Sequence, residues 1–379
     1  MPEWATSRSA QRLLRAGGLL ALLAAALYVP FYFERANLSI CVLVGAAMVG
    51  AMGLNILLGF TGQLSLAHPF FLAIGAVGYS YLAGPDSGTT GDSHLGGLGW
   101  PPLLAAVVAV VLSGVMGMAF SPIAGRLKGI YLGIASLGLV FLAQHLLFNW
   151  RTVTGGFNGR LVPNFEVAGL QFADQHPATQ FLGIPFGRLE RLWYLDVAVV
   201  ALAYLFARNV VRGRPGRALQ AIRDSEVAAS AMGVPLARYR AYAFGLGSVY
   251  AGIAGVLLAL ANGTIVPETF GFAVAVDYLA MVVIGGLGSL AGSCVGAAFV
   301  VALPLVLQNN VDSLSFVAKP GESGIQAAEW AAIAYGVAIV LLLLFEDRGI
   351  AGLVRRLVRR VLPRARLPAS EAAGAVTPI

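Results

Sequence analysis

The chain has 379 residues, 58% of them hydrophobic and 11% charged, and a formal net charge of +7. Soluble domains hold about 45–50% apolar and about 25% charged residues, so this composition excludes a water-soluble globular protein and describes an integral membrane protein. The two cysteines, Cys41 and Cys294, both fall in apolar runs, so no disulfide or cysteine-metal framework is expected.

A membrane helix needs about 20 apolar residues to cross about 30 Å of hydrocarbon, with every backbone group bonded internally. The expected fold class is all-α, a polytopic integral membrane helical bundle of about ten spans. These fall at 17–33, 38–59, 63–83, 98–120, 129–150, 192–211, 240–261, 276–288, 290–308 and 327–345. Residues 1–16 form a basic arm, 17–345 the transmembrane domain, and 346–379 a basic, partly disordered tail suited to anionic headgroups. The run 17–33 follows basic residues as a signal peptide would. It continues through residues 28–33 into the next span, however, and reads as the first membrane helix.

Between the second and third spans, polar and glycine residues interrupt the apolar pattern. Thr61, Gln63, Ser65 and His68 are candidate ligand-facing groups there, and Pro69 withholds the amide that would bond the Ser65 carbonyl in a continuous helix. The alternative is that these groups bond between helices. Farther on, an outer loop at 151–191 contains Asn158.

After the sixth span comes a polar, helix-coded loop, 212–239. Pro215 and Gly216 break the span, and Asp224 or Ser225 caps a new short helix. Glu226 sits at that helix's positive end, open to a basic group on a partner, and Gly233 with Pro235 stops it after about two turns. Ala228, Ala229 and Ala231 leave a smooth face for docking.

Residues 276–308 are long for one span and short for two, with Gly285, Gly286, Gly288 and Gly292 inside, so a broken or re-entrant helix is expected. Gly59-x-x-Gly62-x-Leu64 is echoed by Gly285-x-x-Gly288-x-Leu290, as an internal repeat would require. That echo adds Gly285, Gly286 and Gly288 to the candidate residues.

Placing both termini and the 212–239 loop in the cytoplasm keeps every Arg and Lys inside except Arg35, Arg151, Arg160, Arg188, Arg191 and Lys319, as the positive-inside rule favours. The only lysines, Lys128 and Lys319, lie outside any Gly-Lys-Ser/Thr loop, so the chain carries no ATPase site of its own and needs no cofactor. His68 and His145 are the ionisable residues near span centres. Asp196, Asp277 and Glu329 are expected near hydrated span ends, which disfavours a proton- or ion-driven carrier. No nucleophile or paired-carboxylate pattern points to an enzyme.

Four segments together resemble one family over most of residues 45–310. They are Gly59 through Pro69, residues 127–138 with the Thr154-Gly155-Gly156-Phe157-Asn158-Gly159 turn, Glu226 through Gly233, and Met281 through Gly292. They are similar to the permease subunits of branched-chain amino-acid-type ABC importers. Ala67 stands where the family has glycine, and Phe157 where it has proline. The resemblance implies a prokaryotic plasma-membrane permease coupled to two separate cytoplasmic ATPases that bind the ATP, with a homologous second permease and an extracytoplasmic binding protein. Membrane lipid is a further partner and nucleic acid is not. Branched-chain amino acids are the implied solutes. Urea and short amides are alternatives within the family, and a secondary carrier or channel is the alternative outside it. In this reading Asp224, Glu226, Ala228, Ala229 and Gly233 couple to the ATPase, while Thr61, Gln63, Ser65, His68, Asn158, Gly285, Gly286 and Gly288 lie on or beside the solute path.

Overall fold

The computed structural model describes residues 28–85, 95–127, 129–167, 170–172, 180–181, 184–185 and 187–310, with scattered positions between 326 and 352. The basic arm, most of the 17–33 and 327–345 spans, Lys128, and nearly all of the tail lie outside the described residues.

Ordered along the chain are α1 (Arg35–Thr61), α2 (His68–Ala83), α3 (Pro102–Arg126), α4 (Ile130–Asn149) and the single turn α5 (Arg151–Thr154). Next come α6 (Arg188–Arg212), α7 (Arg214–Asp224), α8 (Glu226–Ala231), α9 (Leu236–Asn262), α10 (Phe272–Gly285) and α11 (Leu290–Asn309). Six of these, α1, α3, α4, α6, α9 and α11, are long and apolar enough to span a bilayer among the described residues. The count of about ten is not reached, because two terminal candidates lie outside those residues and two inner ones are short. At about 1.5 Å per residue, the 16 residues of α2 and the 14 of α10 reach only about 24 and 21 Å. Apolar runs alone did not reveal this, since the non-helical residues 62–67 are themselves mostly apolar or small.

Helices α1 and α9 form the centre. Each has 27 residues, with 78% of its apolar window buried. Around them pack α2, α3, α6, α10 and α11, while α3, α4 and α6 leave most of their apolar surface facing outward. With lipid as apolar as leucine, tight van der Waals contact and interhelical hydrogen bonds must hold such a bundle. Small residues provide the contact: a Cβ on Gly75 of α2 would lie 2.2 Å from the Gly252 carbonyl oxygen of α9, and one on Gly117 of α3 only 2.1 Å from Ser248 Oγ. Buried hydroxyls supply the bonds. Ser113 Oγ of α3 lies 2.7 Å from the Ser248 oxygen and 3.1 Å from that of Phe71, joining three helices. Tyr250 of α9 donates to the Ala203 oxygen of α6 at 2.6 Å.

The loop 151–191 adds short strands to the expected all-helical picture: β1 (Arg160–Leu161), β2 (Glu166–Val167), β3 (Leu170–Gln171), β4 (Gln180–Phe181) and β5 (Ile184–Pro185). β2 pairs with β3 and β4 with β5, while β1 pairs antiparallel with β6 (Thr264–Ile265), which follows α9. Arg160 lies in this corner, 3% exposed. It donates to the Ser80, Val153, Leu95 and Gly96 carbonyls at 3.0–3.2 Å and sits over the Tyr81 ring. Burial lowers the pKa of its guanidinium from the ordinary value, and Tyr81 opposes the shift.

Candidate functional site

The α7–α8 arm is built by local signals. Gly213 alone separates α7 from α6, and Pro215 occupies the first turn, where no amide is missed. Buried Leu219 and Ile222 anchor α7 to the bundle. Ser225 then takes an extended conformation and its hydroxyl accepts the Ala228 amide at 3.2 Å, capping the six-residue α8. Gly233, at φ +81°, reverses the chain, and the Val234 amide reaches back to the Ala229 oxygen at 3.0 Å. The capped short helix and its glycine stop are thus as the sequence indicates.

Two expectations about this arm are corrected. Ala229 is fully buried and faces the protein, so the outward face is made by Ala228, Ala231, Val227 (82% exposed) and Met232 (70%). Glu226 is not open to a partner's cation, because its carboxylate is paired with Arg240 of α9, whose Nη1 also donates to the Gly125 oxygen of α3 at 2.9 Å. Asp224 is exposed beside them.

The first break in the bundle runs from Thr61 to His68. Gly62 ends α1 at φ +69°, its amide on the Leu58 oxygen, and the Thr61 hydroxyl turns back to the Leu57 oxygen. Residues 62–67 are non-helical, pinned to α4 by the Leu66 amide, which donates to Ser136 Oγ at 2.8 Å. Ser65 is buried, and its Oγ accepts the Ala67 amide at 3.4 Å. Because Ser65 lies outside a helix, Pro69 does not free its carbonyl from a helical bond. The proline instead opens α2 from the first turn. His68 is 5% exposed, with its ring 4.5 Å from that of Tyr278 on α10. His68 Nε2 and Gln63 Oε1 are buried with no hydrogen-bond partner among the described residues.

The second break, 286–289, joins α10 to α11 as a helical hairpin, in the region where a broken or re-entrant element is expected. Gly286 and Gly288 turn it at φ +109° and +77°, and Ser289 caps α11 by accepting the Gly292 amide at 3.1 Å. Gly285 packs on Gly292, where a Cβ would come within 2.2 Å of its carbonyl oxygen.

The last turns of α1, which lead into the first break, touch the second. A Cβ on Gly59 would sit 2.4 Å from the Gly288 nitrogen. Asn55, fully buried in α1, accepts the Gly288 amide at 2.9 Å and donates to the Ser289 oxygen at 2.9 Å. The arm reaches the same point: Arg223 of α7 donates through Nη1 to the Gly59 oxygen. A cavity of about 250 Å³ is lined by Thr61, Gln63, Arg223, Asp224, Glu226 and Arg240, so candidates from both groups share one space.

Asn158 does not join them. It lies on a tight turn, Gly156–Asn158, lining a separate cavity of about 590 Å³ with Arg160, Asn164 and Thr264. Helix α9 runs from the arm to that corner, about 40 Å at 1.5 Å per residue. Asp196 also departs from expectation. It is 1% exposed in α6, packed on Gly45 of α1, and neither carboxylate oxygen has a hydrogen-bond partner among the described residues.

Sequence reading missed Asn55, Arg223 and Arg240. A lone asparagine inside an apolar helix was the available signal for the first. The two arginines look like ordinary positive-inside charge.

The family described as the branched-chain amino acid transport system permease component matches residues 36–345. The chain is 32% identical over 283 residues to the high-affinity branched-chain amino acid transport system permease protein LivM of Salmonella typhimurium, covering 72% of this chain and 63% of that protein. The LivM protein of Escherichia coli K12 matches at the same identity and coverage. LivH of the same E. coli strain is 26% identical over 258 residues, 65% of this chain and 76% of LivH. The chain therefore spans 63% of the length of the enterobacterial LivM relatives. No solved structure matches.

Proposed function

The chain belongs to the branched-chain amino acid transport system permease family, and from that premise we propose that it is a membrane permease subunit of an ATP-driven importer for branched-chain amino acids. The observation that carries the reading is the α7–α8 arm. It leaves the bundle, exposes Val227, Ala228, Ala231 and Met232, and is tied through Arg223 to the place where two broken helix pairs meet. In this reading the arm docks on a cytoplasmic ATPase, and a homologous second permease completes the pathway. A binding protein delivers solute at the strand corner. Both termini are cytoplasmic, in keeping with the arginine and lysine distribution.

ATP-driven alternation is then a population shift between two packings of the bundle, biased by movement of the arm. Thr61, Gln63, Ser65, His68, Gly285, Gly286 and Gly288 lie beside the moving parts. The exposed side chains of Asp224 and Ala228, the anchoring of Glu226 and Ala229 and the turn at Gly233 shape the dock. The test is reconstitution with separate ATPase and binding-protein subunits in vesicles. Uptake of labelled leucine should require all components and ATP. Uptake by this polypeptide alone on a proton or sodium gradient would overturn the proposal, and uptake of urea or a short amide in place of leucine would correct the solute.

A further inference from the structure

Arg223 occupies an unusual position for a charge on a polar loop. Its Cγ lies 3.3 Å from where a Gly62 Cβ would be, so the stem runs along the end of α1. Its Nη1 donates to the Gly59 oxygen and lies 3.5 Å from the Cβ position of Gly288. The Gly59 carbonyl is among the last four of α1. Its helical partner would be the amide of residue 63, which lies beyond the Gly62 turn. One guanidinium therefore closes an open helix end, where a cation is favoured, at the point where both glycine breaks meet. Glu226 pairs with Arg240, and Arg240 donates to the Gly125 oxygen, which fastens α8 to α9 and α3.

Resting on the importer reading above, we propose that Arg223 is the positioning residue that makes the breaks at 62–67 and 286–289 move with the docked arm. Displacing α7 pulls directly on the Gly59 carbonyl. Through the Gly59–Gly288 contact and the Asn55 bonds to Gly288 and Ser289, the same displacement reaches the α10–α11 turn. Without this contact the arm still docks and the ATPase still turns over, but the stroke no longer reaches the breaks.

The test uses the complete importer in vesicles, reading ATPase co-purification, ATP hydrolysis and solute moved per ATP for wild type, Arg223→Gln and Arg223→Lys. Arg223→Gln should retain association and hydrolysis. Its solute-per-ATP ratio should fall about tenfold, the scale of one charge-assisted hydrogen bond. Arg223→Lys should recover part of the loss, since an ammonium can still reach a carbonyl. A wild-type ratio in Arg223→Gln, or loss of ATPase association, would overturn the proposal while leaving the importer reading intact. Failure of wild type to transport with ATP would instead remove that reading.

A second measurement leaves Arg223 in place. Spin labels at exposed Gln220 of α7 and Leu287 of the turn, in a Cys41→Ala, Cys294→Ala background, should keep a constant separation with and without nucleotide. A nucleotide-dependent change in that separation in wild type would show that the arm and the break move independently, and the proposal would fall.

Discussion

The side-chain oxygen of Asn55 accepts the backbone amide of Gly288 at 2.9 Å across 233 positions of sequence. The amide of the same side chain donates to the Ser289 oxygen. One buried residue in α1 thus pairs the Gly288 amide and gives the Ser289 oxygen, which already accepts the Ser293 amide of α11, a second bond. An unmade bond at such a buried group costs about 1–3 kcal/mol.

Asn55→Ala should therefore lower both thermal midpoint and uptake. Asn55→Asp keeps the acceptor for Gly288 but loses the donor to Ser289, and should fall between. Midpoints in detergent, measured alongside uptake, check the order. A wild-type midpoint in Asn55→Ala would show that the turn stands without this clamp.

Gly59→Ala should be among the more damaging single-methyl additions. The new Cβ would lie 1.9 Å from Asn55 Oδ1 and 2.4 Å from the Gly288 nitrogen, and overpacking of this kind costs about 1–3 kcal/mol. Gly138→Ala is the control, because none of the described residues lies within 4 Å of its Cβ position. Its midpoint should be unchanged or raised. Equal effects in the two variants would argue against the close contact of the breaks.

The Glu226–Arg240 pair is partly exposed, with side chains 35% and 11% accessible, so the coupling between them should be modest. A double-mutant cycle of Glu226→Ala and Arg240→Ala, read by ATPase co-purification, should give an interaction of about 1 kcal/mol or less. Gly233→Val should weaken association more than either, because valine at φ +81° is strained whatever the space around it. Normal association and uptake in Gly233→Val would mean that the arm is an ordinary linker.

Gln63→Ala and Ser65→Ala separate two roles for the first break. Gln63 Oε1 is buried without a partner among the described residues, so its removal strands none of their groups and should reduce uptake with little change in midpoint. Ser65→Ala loses only a long 3.4 Å contact and should do the same. Variants that transport normally but melt lower would make these residues interhelical fasteners.

Asp196→Asn is expected to keep or raise the thermal midpoint. The substitution preserves shape against Gly45 while removing an ionisable carboxyl that has no hydrogen-bond partner among the described residues. A large loss of stability or uptake would show that Asp196 serves a role its surroundings in this state do not display.

The bundle was legible because membrane helices declare themselves by apolar length, and the arm because Ser225 and Gly233 act through neighbours within a few residues. Gly62 ends α1 at the first break, and Gly286 and Gly288 turn the second. What could not be read was contact between distant segments. Asn55 says nothing alone about Gly288, and Arg223 and Arg240 resemble any cytoplasmic arginine. Ala229 faces inward only because α7 and the bundle fix the rotation of α8. Asp196 was misjudged because the approach of α6 to Gly45 depends on packing. The strand corner escaped because two-residue strands carry too little alternation to register.

The burial of Arg160 constrains the order in which the protein is made. Its guanidinium takes carbonyls from Ser80, Leu95, Gly96 and Val153, all synthesised before it, yet its own strand pairs with Thr264 and Ile265, synthesised only after α9. While the nascent chain is shorter than that, β1 lacks its partner strand, and the corner cannot close until α9 has been threaded into the bilayer. Closure of this corner thus follows the synthesis of α9.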